Sequence, residues 1–95
     1  MEKAWNAFRF AGTAKKKQNE VKVFLIGEAV ECEGLTDSTF NVDELLKKFV
    51  NEGGELLVCA SSLKSRNMSG SQTHPISSMV ELLDLVIWAD KTITF

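Results

Sequence analysis

Tyrosine is absent from this 95-residue chain, and histidine and proline occur once each, as His74 and Pro75. A single histidine excludes any site built on two or three imidazoles within one chain, and no metal site is expected. The two cysteines, Cys32 and Cys59, form no CxxC pair. That is too few, at the wrong spacing, for a disulfide framework. The N-terminal stretch Met1-Glu2-Lys3-Ala4-Trp5 is amphipathic rather than a signal sequence. No apolar run approaches the roughly 20 residues that span a bilayer. The expectation is therefore a cytoplasmic protein with no membrane partner, whose thiols stay reduced. A basic excess is also missing: 11 Lys and Arg stand against 13 Asp and Glu, for a net charge of -2. Nucleic acid is not an expected partner. The run Lys15-Lys16-Lys17 falls where a first helix should end, a place where cations offset the helix dipole. No GxGxxG phosphate loop occurs, which weakens a nucleotide-binding reading, and no cofactor is expected.

What is present is ordinary globular composition, 44% hydrophobic and 25% charged. A chain of this length buries roughly 60–65% of its unfolded surface and folds without staples. It reads as one domain over residues 1–95. Ala4, Ala7, Phe8, Ala11 and Ala14 recur at helical spacing and predict a helix over residues 2 to 17, whose small residues, with Gly12, suggest close packing on a sheet. Residues 21 to 26 are β-branched and apolar and stop at Gly27, the pattern of a buried parallel strand. Residues 28 to 40 read as a loop, with room for a helical turn. Asn41 with Glu44 predicts a capped helix carrying Val42, Leu45, Leu46, Phe49 and Val50 inward, ended by Gly53-Gly54. Glu55–Cys59 reads as a second strand, followed by a short helix near Ser61–Arg66 with Asn67 as its left-handed cap. After a polar loop, Ser78 and Glu81 predict another capped helix with Met79, Leu82, Leu83, Val86 and Ile87 inward. Lys91–Phe95 reads as a last strand.

Alternating helices and short buried strands imply right-handed βαβ units and a mostly parallel sheet in a three-layer α/β/α fold. In such sheets, ligands collect at the carboxyl ends of the strands, which brings Gly27-Glu28 and Cys59-Ala60-Ser61 to one edge. Cys59 thus lies at a strand end and before a helix, where amide groups lower a thiol pKa. Its competing reading is a buried structural thiol. Ser61 and Ser62 either donate hydroxyl hydrogen bonds to the sulfur or cap the helix. Arg66 is an auxiliary cation or an ordinary surface charge. Cys32 stands between Glu31 and Glu33, whose carboxylates raise its pKa and argue against a reactive thiolate; it remains the second candidate thiol. His74 reads as a plain loop histidine or as a group reaching the strand-end cleft.

Three blocks carry a family resemblance. Val23-Phe24-Leu25-Ile26-Gly27-Glu28-Ala29-Val30, Cys59-Ala60-Ser61-Ser62-Leu63-Lys64-Ser65-Arg66 and Trp88-Ala89-Asp90-Lys91-Thr92-Ile93-Thr94-Phe95 resemble the DsrE/DsrF-like sulfur-relay proteins, including the D subunit of the Tus complex and YchN-like proteins. The resemblance implies a flavodoxin-like or YchN-like fold and a persulfide carried on Cys59, with Arg66 as a neighbouring basic group. It implies a small sulfur-carrier protein or persulfide donor as partner, and assembly into homo- or hetero-oligomers, as trimers or hexamers. It makes the chain a sulfurtransferase-like carrier, or alternatively a non-catalytic subunit that keeps the fold and contributes surface only. Relay members usually have glycine after the arginine, where this chain has Asn67. They also have a strand before the first helix, which this chain lacks; a late or truncated start, a reorganised sheet and a second subunit filling the gap are all open.

Overall fold

A computed structural model describes residues 2–32, 41–68 and 76–95. Helix α1 (Glu2–Lys16) precedes strand β1 (Lys22–Leu25), and a 3₁₀ helix (Gly27–Glu31) follows it. Helix α2 (Val42–Asn51), strand β2 (Glu55–Cys59), the short helix α3 (Ala60–Lys64), strand β3 (Ile76–Ser77) and helix α4 (Met79–Trp88) complete the order. Among the described residues the sheet is parallel throughout, in the order β1-β2-β3. The expected three-layer α/β/α class with a parallel sheet is the one found. No described strand precedes α1, and β1 bonds directly to β2, pairing Lys22 with Glu55 and Leu25 with Val58.

Strand alternation divides the sheet. Val23 and Leu25 of β1 share a face with Leu56 and Val58 of β2. That face meets Phe8 and Ala11 of α1 and Val42, Leu46 and Phe49 of α2 in one core, with Val30, Cys32 and Leu63. The Phe8 and Phe49 rings meet edge to face, with centroids 6.1 Å apart. Asn41 caps α2 by accepting from the Glu44 amide, and its side-chain amide donates to the Glu44 carboxylate at 3.2 Å. The reciprocal bond that would complete a capping box is not made there; it is made at Ser78 and Glu81 of α4. Gly53 takes a φ of 94°, as a helix-ending glycine should. Gly54 is required for a second reason: a Cβ there would overlap the Phe49 ring.

The opposite face carries Lys22, Phe24, Glu55 and Leu57. Lys22 pairs with Glu55 at 3.3 Å and lies 4.4 Å from the ring centre of Trp88, which brings the end of α4 to this face.

Several expectations are corrected. Gly12 makes no close approach, since a Cβ there would meet nothing within 4 Å. It lines a shallow cleft of about 180 Å³ between α1 and α2. The helical turn allowed for in residues 28 to 40 is a 3₁₀ helix that already begins at Gly27 and runs to Glu31. Lys91–Phe95 forms no strand and is exposed; Phe95 lies against Phe10 of α1, ring centres 6.1 Å apart. The inward stripe expected on α4 is not buried. Met79, Leu83, Val86 and Ile87 are exposed and Leu82 is half-buried. Since α4 is apolar on nearly every side, the spacing of its apolar residues selects no single face.

Candidate functional site

Strand β2 ends at Cys59, which is also the N-cap of α3, with φ -66° and ψ 120°. Neither Ser61 nor Ser62 caps that helix. Helix α3 has five residues, too few for an effect along its axis to dominate; individual donors act on the sulfur instead. The Ser62 hydroxyl, as a hydrogen-bond donor toward the thiol, is the largest influence lowering the Cys59 pKa. The backbone N–H groups of Ser62 and Ser61 act in the same direction. Together they hold the Cys59 thiol below its ordinary pKa, against the upward push of burial. The residue is 6% exposed.

The Ser62 hydroxyl owes its direction to the neighbouring strand. The Gly27 N–H donates to Ser62 Oγ at 2.9 Å. With that bond occupying an oxygen lone pair, the hydroxyl proton is free to turn to the sulfur. Gly27 sits just beyond β1 with φ 65°, a conformation that suits glycine. The two strand ends expected to converge do so through this bond.

Arg66 fixes the same segment from behind. Its Nε donates to Glu31 Oε2 at 3.1 Å, and its Nη1 donates to the Ser62 carbonyl at 3.3 Å and to Ser65 Oγ at 3.2 Å. Ser65 Oγ also donates to the Ser62 carbonyl, at 3.0 Å. Ser62 is thereby held at both ends. Arg66 ties α3 to the 3₁₀ helix after β1 and is not among the groups that lower the thiol. Asn67 takes the left-handed conformation, φ 53°, so the turn is kept without glycine. Ser61 contributes its amide to the sulfur and leaves its own side chain exposed.

Cys32 behaves oppositely. It caps the 3₁₀ helix at its C-terminal end and is 3% exposed within the core. Burial is the main cause of its raised pKa, with Glu31 adding to it. Of the flanking carboxylates invoked from sequence, Glu31 is thus a lesser influence than burial. Glu33 and His74 lie outside the described residues.

One neighbour of Cys59 went unread in the sequence. Ser77 of β3 pairs with Cys59 across the sheet and is 3% exposed. Among the described residues its Oγ has no hydrogen-bond partner. A two-residue strand carries no periodic signal that would have revealed it.

Among the described residues no helix is long and apolar enough to cross a membrane. No solved structure matches the chain. It is 33% identical over 94 residues to an uncharacterized protein of Methanopyrus kandleri, an alignment covering 96% of this chain and 78% of that one. It is 30% identical over 100 residues to an uncharacterized protein of Methanocaldococcus jannaschii, covering 99% of this chain and 88% of the other. The model of the DsrE/DsrF-like family matches residues 1–95, and the chain belongs to that family.

Proposed function

We propose that this protein is a cytoplasmic sulfur carrier that holds sulfur as a persulfide on Cys59. The observation carrying this reading is the divergence of the two thiols: Ser62 and two amides favour a thiolate at Cys59, while burial disfavours one at Cys32. The Cys59 thiolate attacks the outer sulfur of a donor persulfide. A bond forms between the two sulfurs, the donor's own S–S bond breaks, and the donor leaves as a thiolate. An acceptor thiolate reverses the process, so neither step consumes an external oxidant. Membership of the DsrE/DsrF-like family supports the sulfur-relay reading. The partners are a persulfide donor and a small sulfur-carrier protein as acceptor.

Assembly with further copies or related subunits belongs to the same proposal. Its support is α4, where Met79, Val80, Leu82, Leu83 and Val86 line an apolar groove of about 460 Å³. Sedimentation of the purified chain checks it; a monomer at all concentrations would count against self-assembly. The 6% exposure of Cys59 favours a second reading, a subunit that contributes surface alone.

Incubating the reduced protein with a low-molecular-weight persulfide and measuring intact mass decides between these. The expected result is a gain of one sulfur atom, lost in Cys59→Ser and retained in Cys32→Ser. No gain, or a gain only at Cys32, overturns the carrier reading.

A further inference from the structure

A persulfide on Cys59 has two sulfurs, and the donors described so far all serve the inner one. The Ser62 hydroxyl and the amides of Ser61 and Ser62 address Sγ, and the remaining bond at Ser62 Oγ goes to the Gly27 amide. Anionic charge on a loaded cysteine resides mainly on the outer sulfur. That atom needs its own donor if the loaded state is to be held.

Ser77 occupies the position for one. β3 is parallel to β2 with Cys59 and Ser77 in register, so the two side chains project from the same face of neighbouring strands. Neighbouring strands lie about 4.8 Å apart. An S–S bond of about 2 Å would carry the outer sulfur across a large part of that gap. Ser77 Oγ is fully shielded from solvent, yet among the described residues it bonds to nothing, the thiol included. Leaving a buried hydroxyl unmatched costs stability, and serine is not the residue that packing alone would select there.

We propose that the Ser77 hydroxyl is the hydrogen-bond donor for the outer sulfur of the Cys59 persulfide. This rests on the carrier reading above. The thiol form leaves Ser77 unmatched, and loading supplies its acceptor. Ser62 then governs the reactivity of the empty site, and Ser77 the stability of the full one.

The test compares wild type with Ser77→Ala, which removes a single oxygen. Each protein is equilibrated with fixed ratios of glutathione persulfide to glutathione, and the loaded fraction is read by intact mass. The expected result is a loading constant about fivefold to tenfold lower in Ser77→Ala, the loss of one hydrogen bond. The pH midpoint of the unloaded Cys59 thiol, read from its alkylation rate, should be unchanged, and the melting temperature of the unloaded variant equal or higher. Equal loading constants, or a lower melting temperature of the unloaded variant, overturn the role of Ser77 while leaving the carrier reading intact. Failure of wild type to load at all overturns both.

Discussion

Replacing Ser62 with alanine removes the side chain that most lowers the Cys59 thiol pKa, and the consequence can be worked through. A hydrogen bond to a charged group is worth about 1.5–3 kcal/mol. The amides of Ser61 and Ser62 still reach the sulfur in the variant, so the lower end applies. About 1.5 kcal/mol corresponds to roughly tenfold less thiolate at a pH below the thiol's midpoint. The thiolate that remains is more basic and more nucleophilic; a Brønsted coefficient of about 0.4–0.5 recovers roughly threefold. The net expectation is an exchange rate with a small aromatic disulfide about three- to fourfold slower at a pH below the midpoint and faster well above it. The pH profile should shift upward in Ser62→Ala, and Ser62→Thr, which retains a hydroxyl, should shift less. A profile whose midpoint stays in place, or moves down, would refute the reasoning. The same substitution removes the acceptor of the half-buried Gly27 amide, so a stability loss of about 1 kcal/mol should accompany it.

Gly54→Ala places a methyl into the Phe49 ring and should cost about 1–3 kcal/mol in urea unfolding; a neutral result would mean that α2 and β2 shift freely against each other. The raised pKa of Cys32 means that the folded state keeps its proton longer than the unfolded chain does. Its contribution to stability is full below the ordinary thiol pKa and is lost as pH rises through the raised value. Unfolding Cys59→Ser and the Cys59→Ser, Cys32→Ser double variant from neutral to strongly alkaline pH should show a steeper alkaline decline in the former, and parallel curves would contradict this. Cys59 has the opposite sign: its contribution is present above the ordinary value and is lost as pH falls through the lowered one.

Legibility of the fold followed the strength of local signals. The Asn41 cap and the stripe Val42, Leu46 and Phe49 coincide, and these three residues are among the most buried. Helix α4 has an equally clear start at Ser78, but apolar residues lie on nearly all its sides, so its sequence fixes a helix without choosing the face that is buried. Lys91–Phe95 has the composition of a strand. A strand also needs a free edge in register, and composition says nothing of that. β3 is the converse case: Ile76-Ser77 is too short to show an alternating pattern, and its existence depends on pairing with Val58 and Cys59.

The candidate site divides along the same line. Placing Cys59 at the end of a strand needed only the run Leu56-Leu57-Val58 before it, and that reading fits the structure. The cause of its lowered pKa was less accessible. A five-residue helix offers little axial field, and the leading donor is a hydroxyl aimed by the Gly27 amide, 35 residues away in the chain. Gly27 was visible as the stop of a strand and as a neighbour of Cys59 at one sheet edge, but its bond to Ser62 depends on where α3 lands. Ser77 lay deeper still, since an unmatched hydroxyl is a property of register and burial together. The residues most readable from sequence are therefore those that act through their own chemistry. Those that act by orienting or awaiting another atom emerge only when the strands are laid side by side, and a change at Gly27 should alter the thiol at Cys59 without touching it.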